Sequence, residues 1–182
     1  MKMIINYIIN MIPYMLISVP IFIIIRLIIF YKKKKINIKR EILLLIFYLF
    51  LVGLFSQAII PKSSIDLSKN SINIIPLKII YDTIAELKKG NIDYLIISLL
   101  GNIVMFIPIG YFIKILWNCN NKKTILLGFL ISLFIETSQL FIGRETDIDD
   151  LLLNTFGVII GIVLYKLIKS FNICKNINST RN

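Results

Sequence analysis

The chain contains no histidine. Imidazole bases, His-containing triads and His metal ligands are therefore excluded, and any acid–base chemistry must rest on carboxylates, lysine or tyrosine. Acids are scarce as well, with 10 Asp and Glu against 21 Lys and Arg, for a net charge of +11. The two cysteines, Cys119 and Cys174, form neither a Cys-x-x-Cys pair nor a framework, so no disulfide and no thiolate metal site is expected. Charged residues amount to 17% and hydrophobic ones to 57%. A soluble domain is usually roughly 45–50% apolar. What fills the chain is a series of apolar runs, several near the ~20 residues that cross a bilayer as helix.

Five such runs are expected to span: about 4–31, 41–60, 94–116, 124–142 and 151–170. The fold class is thus all-α, a polytopic membrane helical bundle. Pro13 and Pro20 allow the first run to kink, because proline removes a backbone donor. Its length, the single basic residue before it and the lack of a small-x-small site point to a retained span rather than a cleaved signal. Arg26, near its end, is expected to snorkel to the interface. Pro61 stops the second run, and residues 61–94 form the longest polar connection. Within it Ile80, Ile84 and Leu87 recur at helical spacing and suit a helix lying on the membrane surface. Asn91 or Asp93 is placed to cap the third span.

Charge counting orients the bundle. One set of loops, 32–41, 114–123 and the C-terminal region, carries 13 basic residues and one acid; the opposite set carries 7 basic residues and 8 acids. Basic loops face the cytoplasm, which places the N-terminus outside and the C-terminus inside. The excess charge is thereby read as topological, with no nucleic-acid partner. The lysine run 32–35 sits between two spans and has no interleaved aromatics.

Polar residues within the last three runs are the candidate site. At ~1.5 Å per residue, Asn102 and Glu136 both lie about 10 Å beneath the outer boundary, and Asn154 roughly 6 Å. Gly128, Ser132, Glu136, Gln139 and Gly143 form one stripe at helical spacing; Asp147, Asp150, Asn154, Gly157 and Gly161 form another. The two stripes are expected to face each other, with Gly157 and Gly161 allowing spans four and five to approach closely. Each element has a plainer reading too. Asp147, Asp149 and Asp150 suit the N-terminus of span five. Asn154 and Gln139 suit interhelical hydrogen bonds, and Pro108 with Gly110 suits a kink in span three. Glu136, at its depth, needs a partner such as Arg144 or stays protonated.

The pattern Asn102-x-x-x-Phe106-x-Pro108-x-Gly110, Glu136-x-x-Gln139 and Arg144-x-x-Asp147-x-Asp149-Asp150-x-x-x-Asn154-x-x-Gly157-x-x-x-Gly161 resembles the VanZ-like family of membrane proteins. Asn73-Ile-Ile-Pro76 resembles the Asn-Leu-Ile-Pro element that precedes the third span in that family. The match covers roughly residues 42–168; Ile74 and Leu77 are mild departures. The resemblance implies a bacterial polytopic protein of the plasma membrane. The family's founding member is associated with low-level resistance to teicoplanin, without a settled biochemical activity. The expected divisions are 1–40, a first span and basic loop; 41–170, the VanZ-like membrane domain; and 171–182, a basic tail.

Three functions of different class follow. In the first, Asn102, Glu136, Gln139, Arg144, Asp147, Asp150 and Asn154 bind a polar envelope ligand, either a lipid head group or a cell-wall precursor. Arg144 would take a carboxylate or phosphate bidentately. In the second, an intramembrane enzyme uses the carboxylates, with a hard divalent cation such as Mg²⁺, on a lipid-linked substrate. No nucleophile stands beside a base to favour it, and no catalytic residue or cofactor is assigned. In the third, the polar stripe is structural or regulatory. Paired broken spans of the kind that mark secondary transporters are not evident.

Overall fold

The computed structural model describes residues 2–33, 37–59, 72–92, 95–142 and 146–179, with side chains at 9–32 and 37–171 within those ranges except Ile97. Arg144, Gly143, Pro61, Asp93 and the side chain of Cys174 lie outside the described residues, as does part of the basic loop. Helices α1 (Lys2–Lys33) and α2 (Ile38–Ile59) come first, followed by a two-residue strand β1 (Ile72–Asn73) and helix α3 (Lys78–Lys88). A π-helical stretch, Leu95–Leu100, leads into α4 (Gly101–Trp117); then come α5 (Asn121–Phe141), strand β2 (Thr146–Asp147) and α6 (Ile148–Ser179). Among the described residues, five helices are long and apolar enough to cross a membrane: Ile9–Lys32, Ile38–Ile59, Ser98–Trp117, Asn121–Phe141 and Ile148–Phe171. They correspond one for one to the expected runs.

The chain forms two compact units, Met1–Asn70 with Thr137–Glu145, and Ser71–Glu136 with Thr146–Asn182. In the first, α1 and α2 pair through contacts that march in opposite directions along the two helices. Met15 lies against Gly53, the Tyr48 hydroxyl donates to the Ser18 carbonyl at 3.1 Å, and Phe22 stacks near Tyr48 at 5.1 Å. Arg26 has a partner that the sequence did not indicate. Rather than snorkelling alone, its guanidinium grips Glu41 through both Nε and Nη2, with both side chains about a quarter exposed. Glu41 sits in the first turn of α2, where the helix dipole also favours an anion. A guanidinium fork matched to a carboxylate is the geometry that offsets desolvation best.

In the second unit α4 and α6 meet backbone to backbone. A Cβ on Gly157 would lie 2.2 Å from the Ile103 carbonyl oxygen, one on Gly161 2.1 Å from that of Ile107, and one on Gly110 2.1 Å from that of Val158. No side chain fits in those gaps. The two stripe glycines were expected to face span four. They face span three instead, because the carbonyls of α4 take the space that a residue larger than glycine would need. Span four reaches α6 by a different small residue: Gly128 of α5 seats the Val158 side chain, which is fully buried with Ile109. Phe106, Ile113, Leu116, Ile135 and Ile162 complete the apolar part of the core.

Residues 72–92, before span three, carry more regular structure than their polarity suggested. β1 pairs in parallel with β2, Ile72 opposite Thr146 and Asn73 opposite Asp147. α3 buries Ile79 and Thr83 and leaves Ile80, Ile84 and Leu87 exposed. The surface-helix expectation thus gains an observed helix and an observed apolar face.

Candidate polar site

Everything that follows, Gln139 excepted, belongs to the second unit. The three aspartates that open α6 perform three separate tasks. Asp147 caps its own helix, its Oδ1 accepting the Asp149 N–H at 2.9 Å, as an acceptor at the N-cap should. Its Oδ2 accepts from Asn73 Nδ2 at 2.9 Å, so one carboxylate serves both helix and strand. Asp149 is 1% exposed, and its two oxygens accept main-chain N–H groups of Leu77 at 2.5 Å and Ile79 at 2.8 Å. It therefore caps α3, a helix remote in sequence, and not the helix that carries it. Asp150 accepts from Asn102 Nδ2 at 2.5 Å, joining spans five and three.

The Asn73-Ile-Ile-Pro76 element now has a physical explanation. Asn73 Oδ1 accepts the Ile75 N–H at 3.2 Å, which folds the chain into a tight turn after β1. Leu77 follows with φ +64°, a left-handed conformation that side chains disfavour. The Asp149 carboxylate holds the N–H groups on either side of that bend. Asn73, Leu77 and Asp149 thus act as one latch that fastens residues 72–88 to the start of α6.

Glu136 is 3% exposed. Its Oε2 accepts the Asp147 N–H at 3.3 Å, and its main-chain carbonyl accepts the Thr146 hydroxyl at 3.1 Å. Its expected partner Arg144 lies outside the described residues. Asn102 also donates to the Ser98 carbonyl, one turn back inside the π-helical stretch, at 3.1 Å. Such wide turns recur at functional sites because they re-aim the residues that follow them. The apolar run 94–116 gave no sign of one.

Asn154 is 3% exposed, and its Nδ2 donates to Ser132 Oγ at 2.8 Å, with Ser132 fully buried. Its Oδ1 has no hydrogen-bond partner among the described residues. Exchanging the amide's O and N does not remove the vacancy, since Ser132 can satisfy only the atom that faces it. Gln139 lies in the first unit, where its Nε2 donates to the Ala58 carbonyl of α2 at 3.3 Å. Of the expected ligand-binding residues, Asn102 is joined to Asp150, Glu136 to Asp147, and Asn154 to Ser132. Ser132 was visible in the stripe but not singled out; Asn73 and Asp149 could be recognised only with the turn they bind in view.

The hard cation considered for the enzymatic alternative meets no cluster of three acids among the described residues that could hold it. Asp147, Asp149 and Asp150 instead accept N–H groups pointing from different elements.

A family model described as VanZ/LLP1 matches residues 41–169. The chain belongs to the VanZ/LLP1 family. The matched span begins at Glu41 and includes every polar residue just placed, from Asn73 to Asn154. No curated protein and no solved structure matches the chain. For this VanZ/LLP1 protein, family and membrane-spanning architecture therefore stand on two separate observations, and the role of the site rests on its own chemistry.

Proposed function

We propose that this VanZ/LLP1 protein sits in the bacterial plasma membrane, N-terminus outside, and binds a polar group of an envelope ligand at the outward ends of spans three to five. Asn102, Glu136, Asp147, Asp150 and Asn154 of the second unit line the site. The observation that carries the reading is the Asn154 amide. An amide atom buried without a partner costs about 1–3 kcal/mol, and a bilayer offers no water to relieve it. A hydroxyl or amide of a head group or wall precursor supplies what the protein leaves missing. Contribution to a teicoplanin response follows if that ligand is a wall precursor.

A second reading, in which the network serves only to fasten helices, draws on Asp149 and Asp147, whose oxygens are filled by the protein's own N–H groups. Teicoplanin susceptibility of cells carrying the wild type, Asn154→Leu, Glu136→Gln or Arg144→Ala at equal membrane abundance separates the two. The binding reading expects each variant to behave as the empty membrane does. Wild-type behaviour from all three, at normal levels, would assign the polar residues to scaffold.

A further inference from the structure

At the end of α4 and α6 remote from the polar site, two lysines share one aromatic ring. The two helices run in the same direction, since Gly157 meets Ile103 and Gly161 meets Ile107, which brings the last turn of α4 beside Tyr165 of α6. Lys114, in the last turn of α4, is only 8% exposed; its Nζ donates to the Cys119 carbonyl at 2.5 Å and to Asn121 Oδ1 at 3.2 Å. The same Nζ stands 5.8 Å from the centre of the Tyr165 ring, and Lys169 Nζ stands 5.8 Å from that centre too. A ring face attracts a cation but carries no net charge with which to neutralise two. Neither lysine has an ion pair among the described residues. The chain holds no acid nearby in sequence, for neither 114–135 nor 151–182 contains Asp or Glu, while Lys122, Lys123 and Lys166 add further positive charge. Among the described residues no carboxylate supplies a counter-charge to either lysine.

We propose that the Lys114–Tyr165–Lys169 cluster holds the phosphate of an anionic phospholipid at this face of the membrane. An ammonium group has three donors, and Lys114 has committed two, which fixes its position and leaves one to offer. Lys169 is exposed and brings its own. Trp117, half exposed at the end of α4, marks the headgroup level where such a phosphate resides. The cluster depends neither on the polar site nor on which face is cytoplasmic.

The test uses the full chain reconstituted in phosphatidylcholine vesicles. Trp117 is the sole tryptophan, so its quenching by brominated phosphatidylglycerol or brominated phosphatidylcholine reports the lipid beside the cluster. Near a membrane surface each lysine changes anionic-lipid preference by about fivefold. The wild type should therefore favour the brominated phosphatidylglycerol by at least that factor, and Lys114→Gln with Lys169→Gln should bring the preference to near unity. Lys122→Gln with Lys123→Gln should retain most of it. If loss of the Lys114 bonds prevents insertion, Lys169→Gln alone should still lower the preference. Equal quenching by both lipids in the wild type would overturn the proposal, as would an unchanged preference in Lys169→Gln. So would an equal loss in the loop variants, which would mean general basicity. Abolition by inorganic phosphate would assign the cluster to a free anion instead.

Discussion

Asp149 and Asn154 mark the two kinds of buried polar residue in this protein, one whose acceptors are filled and one with a vacancy. Asp149→Ala removes the acceptor for the Leu77 and Ile79 N–H groups at a strained bend. Hydrogen bonds to a charged group contribute roughly 1.5–3 kcal/mol each. We expect that variant to lower the melting temperature in detergent and to expose residues 72–88 to protease, with Asp149→Asn intermediate because one acceptor remains. Asn154→Leu should behave differently. It leaves the buried Ser132 hydroxyl without its donor but removes the unpartnered Asn154 oxygen, so one buried vacancy replaces another and the two changes largely offset. A melting temperature near that of the wild type is expected, so any functional defect in that variant is not a folding defect. The residue types at these positions were legible in the sequence. Their partners were not, since Asp149 looks like a cap for its own helix until the turn at Leu77 is in view. The carboxylate's target is 72 residues away, and helical spacing carries no information about a contact that remote.

At the scale of elements, periodicity located the spans and the surface helix but assigned the glycines to the wrong neighbour. A small-residue stripe shows that some backbone approaches; it does not say which. The α4–α6 contact predicts a sharp contrast among glycine variants. Gly161→Ala puts its Cβ 2.1 Å from the Ile107 oxygen and should destabilise by about 1–3 kcal/mol or more, as overpacking does. Gly101→Ala meets only the Ile96 oxygen, at 3.5 Å, and should be neutral or slightly stabilising in a thermal melt. The C-terminal end of α3 carries a surface pair whose titration is also predictable. The Lys89 ammonium, then Asn91, hold the Glu86 carboxyl below its ordinary value, and Glu86 in turn raises Lys89. Stability from a lowered carboxyl is complete above the usual carboxylate range and is lost as pH falls through the lowered value. For the raised lysine it is complete below the usual lysine range and is lost as pH rises through the raised value. Protease cleavage near Gly90 should therefore be flat around neutrality and increase at both extremes, a dependence that Glu86→Gln weakens.

For the whole molecule, the sequence sufficed for the five spans because bilayer thickness and hydropathy are strong, local constraints. The short parallel pairing of β1 with β2 was beyond it, since two residues per strand leave no pattern to read. Loop charge predicts that reporters fused after Lys35 or Asn182 are cytoplasmic and that one fused at Gly90 is external. That orientation places the Asn102–Asp150 and Asn154–Ser132 pairs at the outer side, where an envelope ligand would arrive. Binding at this site turns on whether Asn154 serves a bound molecule. The direct measurement is a mass-spectrometric inventory of lipids and wall precursors that co-purify with the wild type and with Asn154→Leu, both shown to melt alike. The account predicts a polar envelope molecule retained by the wild type and depleted at least about tenfold in the variant, the ratio that ~1.4 kcal/mol of lost interaction produces. Identical inventories from the two would contradict it.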